Sequence, residues 1–153
     1  MTPDLFNTRY QGQWQALWQE LAGRAPEAGL LAQLCTRYSE THRHYHTLQH
    51  LDACLGHLAR LRDQANRAPE VAIALWFHDA IYDIGATDNE RRSADWASTA
   101  LAAAGVTPQV ADRVHALIMV TRHDQPPQTP DQALLLDIDL AILGAPGAVF
   151  DGY

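Results

Sequence analysis

The stretch Leu75-Trp76-Phe77-His78-Asp79-Ala80-Ile81-Tyr82-Asp83 decides the reading of this chain, because a histidine and an aspartate follow seven consecutive apolar residues, Val71 to Phe77. A buried carboxylate without a partner is strongly destabilising, so Asp79 calls for a hydrogen-bonded cation or a metal. The near-continuous apolar run, opened by Pro69 at a helix N-terminal position, predicts a central helix that carries His78 and Asp79 and is covered on most sides.

Working outward, the chain reads as helix after helix. Trp14, Leu17, Trp18 and Leu21 fall at helical spacing, with Gly23 and Pro26 as the stop. Leu30, Leu31, Leu34, Cys35 and Tyr38 form a second stripe. Residues 39–46 are polar and aperiodic, which predicts solvated side chains for His42 and His44. Thr47 caps a third helix whose stripe is Leu48, Leu51, Leu55, Leu58 and Leu61, with His50 in its first turn and His57 on its surface.

Beyond the His-Asp pair, Thr87-Asp88-Asn89-Glu90 has the form of a capping box and opens an alanine-rich fifth helix that Gly105 ends. Thr107-Pro108 opens a sixth helix, with Val110, Val114, Leu117, Ile118 and Thr121 on one face and His123 at its close. Thr129-Pro130-Asp131-Gln132 is a further capping box. The helix it opens, Ala133 to Leu143, is apolar except for Asp137 and Asp139 before Gly144. No alternating strand pattern appears. The expectation is one all-α domain over residues 1–153, a helical bundle of about seven helices.

Composition narrows function without assigning it. An apolar share of 47% with 19% charged residues is ordinary for a globular chain. A formal charge of −7 argues against binding duplex nucleic acid. No secretory signal and no membrane-length apolar run is present, so a cytoplasmic protein is expected, with Cys35 and Cys54 as buried free thiols.

The polar residues that interrupt apolar faces are His50, His78, Asp79, Asp137 and Asp139. Imidazole and carboxylate are ligands for divalent cations, and bundles build such centres from side chains on several helices. Adjacent helical residues point about 100° apart, so His78 and Asp79 can both reach an ion over the gap between them.

Three segments carry a resemblance: Tyr45-His46-Thr47-Leu48-Gln49-His50, Phe77-His78-Asp79, and Asp137-Ile138-Asp139-Leu140-Ala141-Ile142-Leu143-Gly144. In this order they resemble the HD superfamily of metal-dependent phosphohydrolases, and among them small bacterial predicted phosphohydrolases. The likeness runs from about Arg37 to Gly147. It implies an HD-domain bundle with His50, His78, Asp79 and Asp139 as metal ligands; Asp139 is preferred over Asp137 because the family aspartate directly precedes a leucine. Asp137 is then expected to orient a ligand histidine. The ion is a divalent metal, one of Mn, Mg, Co, Ni, Fe or Zn, present once or twice. The Tyr45-His46 spacing to His50 is similar to that of cyclic-nucleotide phosphodiesterases, where the first histidine protonates the leaving oxygen, and this makes His46 the candidate general acid. Relatives continue past this point with a further helix, so the end at Asp151-Gly152-Tyr153 reads as a C-terminal truncation.

A bound divalent ion polarises a phosphoryl oxygen and brings the pKa of its water towards ~7, and a histidine titrates in the range suited to protonating the leaving group. His123, and behind it His115, are candidates to hold a second metal or the phosphate. Asp83 and Glu90, flanking the exit loop of the His-Asp pair, are candidates to orient the attacking water, against plainer roles at helix ends. Trp14, Trp18, Trp76 and Trp96 read as packing residues. Three function classes follow. The first is hydrolysis of a nucleotide or other small phosphate ester, the second oxygenation at a di-iron HD-type centre, and the third non-catalytic ligand sensing.

Overall fold

In the computed structural model, which describes residues 1–22 and 24–143, seven α-helices and two short 3-10 turns are present and no strand occurs among the described residues. The helices are α1 (Pro3–Ala22), α2 (Leu30–Arg37), α3 (Leu48–Leu61), α4 (Ala68–Phe77), α5 (Asn89–Ala103), α6 (Pro108–Met119) and α7 (Pro130–Leu143). The readings that concern Gly23, Gly144 and Asp151-Gly152-Tyr153 lie outside the described residues.

The apolar run dictates the centre. Every residue from Val71 to Phe77 is buried, and α4 packs against α1, α3, α5, α6 and α7. Side chains that are apolar on all faces can be satisfied only by neighbours on all faces. Trp76 anchors α1: its ring lies 4.9 Å from that of Trp14, 5.6 Å from Tyr10 and 5.8 Å from Phe6, all edge-on, the preferred arrangement of aromatic quadrupoles. The Tyr10 hydroxyl in turn donates to Asp52 of α3. Trp14, Trp18 and Trp76 are thus core residues, and Trp96 packs against the core's edge.

Local signals account for the end of α5 and the start of α7. Gly105, at φ 81°, closes α5 with paired bonds from Val106 N to Leu101 O and from Gly105 N to Ala102 O, a Schellman ending that needs the left-handed conformation. At α7, Thr129 Oγ1 accepts from the Gln132 backbone N–H at 3.1 Å, and Gln132 Oε1 accepts from the Gln128 N–H at 2.8 Å.

Four readings are corrected. Helix α4 ends at Phe77, so His78 is its C-cap and Asp79 stands in the turn beyond. The final helical carbonyls find other partners, with Tyr38 Oη donating to Trp76 O and Ala80 N to Phe77 O, and in the turn beyond Arg43 donates to Asp79 O and Ala80 O. At α5 the Thr87-Glu90 box does not form. That helix starts at Asn89, whose side-chain amide instead brackets the Asp83 peptide, accepting from its N–H and donating to its carbonyl, each at 3.1 Å. Helix α6 stops at Met119 and passes through a 3-10 turn, Val120–Arg122, into His123 at φ 62°. Finally, α7 is not buried all round. Asp137, Leu140 and Ala141 lie on its exposed face, while Leu134, Leu135, Ile138 and Asp139 are buried.

Candidate metal centre

Three segments converge beside the C-terminal end of α4. Helix α3 contributes His50 and, one turn on, Cys54; these positions fall on the same face as Leu51, Leu55 and Leu58, which seats that face in the core. The turn after α4 contributes His78 and Asp79, and α7 contributes Asp139. His50, Cys54 and His78 are essentially inaccessible to solvent, and Asp139 is 6% exposed.

The polar atoms crowd one point. His50 Nε2 lies 2.9 Å from Asp139 Oδ1 and 3.6 Å from Asp79 Oδ2, while His78 Nε2 lies 2.9 Å from Asp79 Oδ2 and 3.3 Å from Asp139 Oδ1. Cys54 Sγ is 3.6 Å from His50 Nε2. One donor atom from each of His50, Cys54, His78 and Asp139 lies within 4.8 Å of every other, and the same holds for His46, His50 and Asp79. This buried group could hold a metal ion.

Neighbouring groups orient the donors. His78 Nδ1 faces the Leu75 carbonyl at 2.7 Å, and since a carbonyl only accepts, that nitrogen carries a proton and Nε2 is turned to the cluster. Yet Nε2 is buried without an aligned hydrogen-bond partner, although two carboxylate oxygens stand 2.9 and 3.3 Å away. Ring nitrogen and carboxylate are both ligand types for divalent cations, so this convergence is compatible with a shared ion.

Electrostatics bind the same groups together. Burial alone would lower the His78 pKa, but the charge of Asp79 and the close oxygens of Asp139 and Asp79 outweigh it and hold it well above the usual histidine value. Burial likewise works against the Asp79 carboxylate, and His78 foremost, then His46, reverses this to hold it well below the usual range. Asp139 is lowered too, against its own burial, by His50 and His78. The Cys54 thiol moves the other way, pushed well up by burial and by Asp139 and Asp79.

His46 stands at the rim. Its backbone is left-handed at φ 59°, a conformation for which histidine is enriched among non-glycine residues, and its carbonyl accepts from Arg43 at 2.8 Å. The ring is partly exposed, with Nδ1 3.0 Å from Asp79 Oδ2 and Tyr82 packed against it at 4.8 Å between centroids. Burial opposes protonation of His46, but the bond to Asp79 and its charge raise its pKa.

The sequence-predicted residues therefore divide. His46, His50, His78, Asp79 and Asp139 come together. Asp83 is exposed and ion-paired with Arg92 at 2.7 Å, a bond that holds its carboxylate low, and it takes no part in the cluster. Glu90 lies in the first turn of α5 and is bonded to none of these groups. His123 is exposed at the end of the 3-10 turn, and His115 pairs with Asp95 at 2.9 Å, tying α6 to α5. Asp137, on the outer face of α7, orients no histidine.

Three supports are not apparent from composition or periodicity. Arg43 lies in the segment read as solvated, yet its guanidinium is fully buried and donates to the carbonyls of His46, Asp79 and Ala80 at 2.8, 2.7 and 2.9 Å. His42 donates to Tyr82 O at 2.6 Å, so it too is held by the fold, while His44 is exposed as expected. The Tyr38 hydroxyl, kept protonated by burial, accepts from Asp79 N at 3.2 Å while donating to Trp76 O. Cys54 did have a signal: it stands four residues after His50, on the same helical face.

No family model, no curated protein and no solved structure matches the chain. Among the described residues, no helix is long and apolar enough to cross a membrane.

Proposed function

We propose that the protein is a metal-dependent phosphohydrolase of the HD superfamily, acting on a nucleotide or another small phosphate ester. The observation that carries the reading is the convergence of His50, His78, Asp79 and Asp139 around one buried point, with His46 at a partly exposed edge. When bound there, a divalent cation such as Mn, Mg, Co, Ni, Fe or Zn supplies Lewis acidity towards a phosphoryl oxygen and acidifies a water molecule.

The residues of the chain do the rest. His50 and His78 present ring nitrogens, and Asp79 and Asp139 present carboxylate oxygens, to the same position. The Leu75 carbonyl fixes the His78 tautomer and keeps its ring from turning. His46 is the proton donor. Asp79 anchors its Nδ1 and favours the imidazolium, which leaves Nε2 as the nitrogen that protonates the departing alkoxide. The Arg43 bonds to both His46 O and Asp79 O keep acid and cluster in fixed register. The oxygenase reading drew on His115 and His123, and both stand outside the cluster.

Phosphate release measured over a panel of nucleotides and sugar phosphates, with chelator-treated protein reloaded with Mn, Mg, Co or Ni, tests the proposal. Turnover that depends on the metal and falls by about 10²–10⁴-fold in His46→Ala, with metal content retained, is expected for loss of a general acid. Metal-loaded protein that releases phosphate from no member of the panel would refute it.

A further inference from the structure

Cys54 has no place in the histidine and carboxylate set just described, yet its sulfur lies against the same buried cluster. It stands one turn after His50 on the buried face of α3, with Sγ 3.6 Å from His50 Nε2 and within 4.8 Å of the donor atoms of His78 and Asp139. Tetrahedral coordination with bonds of about 2.3 Å to sulfur and about 2.0–2.2 Å to nitrogen or oxygen places neighbouring ligands about 3.4–3.6 Å apart. Within this set the Cys54 to His50 separation of 3.6 Å and the His78 to Asp139 separation of 3.3 Å are close to such edges, while His50 and Asp139, hydrogen-bonded at 2.9 Å, stand closer than such an edge. Independently, His78 Nε2 is fully buried, aimed into the same space, and lacks an aligned hydrogen-bond partner.

We infer that Cys54 is a metal ligand, so that His50, Cys54, His78 and Asp139 form a mixed nitrogen, sulfur and oxygen site selective for thiophilic divalent cations over Mg and Mn. The inference rests on the metal-binding half of the proposed function and revises its donor set, with Cys54 in the place given there to Asp79, besides naming the metal class. Sulfur discriminates because thiolate is a soft ligand that suits Zn, Co and Fe, whereas Mg and Mn favour carboxylate, carbonyl and water. The thiol loses its proton to solvent as the cation binds, since a coordinating thiol is deprotonated by the ion's charge. An i, i+4 pair on one helix gives the site a rigid edge, and Asp79 remains available to His46.

Cobalt distinguishes the possibilities without any substrate. Chelator-treated protein of residues 1–153 titrated with Co(II) is expected to develop a near-ultraviolet thiolate-to-cobalt charge-transfer band that saturates with bound metal. Cys35→Ser should keep the band. Cys54→Ser and Cys54→Ala should lose it, and should lose more affinity for Zn(II) than for Mn(II). Wild-type protein that binds Co(II) without the band overturns the inference while leaving a histidine and carboxylate centre standing. Persistence of the band in the Cys54 variants also overturns it. Failure of the wild type to bind Co(II) or Zn(II) removes both the inference and the metal centre beneath it. The wild-type and Cys35→Ser spectra decide the matter even where the Cys54 variants do not fold.

Discussion

The guanidinium of Arg43 donates 2.7 Å to the backbone carbonyl of Asp79, and the same side chain, with no exposed surface, holds the carbonyls of His46 and Ala80. One cation therefore satisfies three peptide groups in the two segments that carry the rim histidine and the His-Asp pair. It also lies over the rings of Tyr38 and Tyr82, at 5.1 and 5.7 Å from their centroids. Arg43→Ala should cost on the order of 3–5 kcal/mol, because buried carbonyls lose charge-assisted partners. Arg43→Lys should recover only part, since an ammonium lacks the planar fork. Urea unfolding of both variants checks this: a lowered midpoint with an unchanged slope is expected, and an Arg43→Ala midpoint equal to wild type would contradict it.

The two aspartates of α7 should separate cleanly. Asp139 is buried against His50 and His78, whereas Asp137 lies on the exposed face. Asp139→Asn, nearly unchanged in volume, should lose metal and hydrolysis together, and Asp137→Asn should match wild type in both. Metal content by elemental analysis and phosphate release give the comparison. Equal loss in the two variants would mean that burial does not assign the ligand.

The stability of the metal-free protein and the increment added by metal should respond to pH in opposite senses. The depressed Asp79 and Asp139 carboxyls stabilise the metal-free fold above the ordinary carboxylate pKa of about 4 and lose that contribution as pH falls through their lowered values. The raised His78 and His46 contribute fully below the ordinary histidine value of about 6.5 and lose it as pH rises through their raised values. Metal-free protein should thus melt at lower temperature on the alkaline side. The increment from a divalent cation should grow there, because a cation must displace protons from the same nitrogens. Thermal melts between about pH 5 and about pH 9, with and without chelator, test both trends. A metal increment that shrinks as pH rises would refute the assignment of histidine ligands.

The thiols should be silent in the metal-free native state. Both are buried, and burial chiefly pushes Cys35 up to about 11 and Cys54 well above its usual value. Since the thiolate is the reactive species, a thiol-reactive dye should label neither before unfolding and both after it. Rapid native labelling of either would show that its segment opens.

How much of this could be read from residues alone varies with range. Helix existence was legible because the stripes of α2, α3 and α6 repeat at helical period, and Gly105 and Thr129 mark ends through purely local chemistry. His50, His78, Asp79 and the two aspartates of α7 stand out because each breaks an apolar context that only pairing makes tolerable, and Asp139 is preferred over Asp137 only through the family resemblance. Local pattern failed where distant groups intervene. At the end of α4 the partners Tyr38 and Arg43 lie 39 and 34 residues before Phe77 in the chain, beyond the reach of any local pattern in Val71 to Asp83. Asp137 was read as buried because its neighbours are apolar, yet the fold leaves the face it shares with Leu140 uncovered.

The central claim is that the buried cluster exists to hold a cation, and equilibrium dialysis of chelator-treated protein against Zn(II) and Mn(II), counted per chain, tests it most directly. The account predicts stoichiometric retention by the wild type and loss of that ion in His50→Gln and His78→Gln, each shown by circular dichroism to keep its helical content. No retained ion in the wild type, or undiminished retention in both variants, would contradict it.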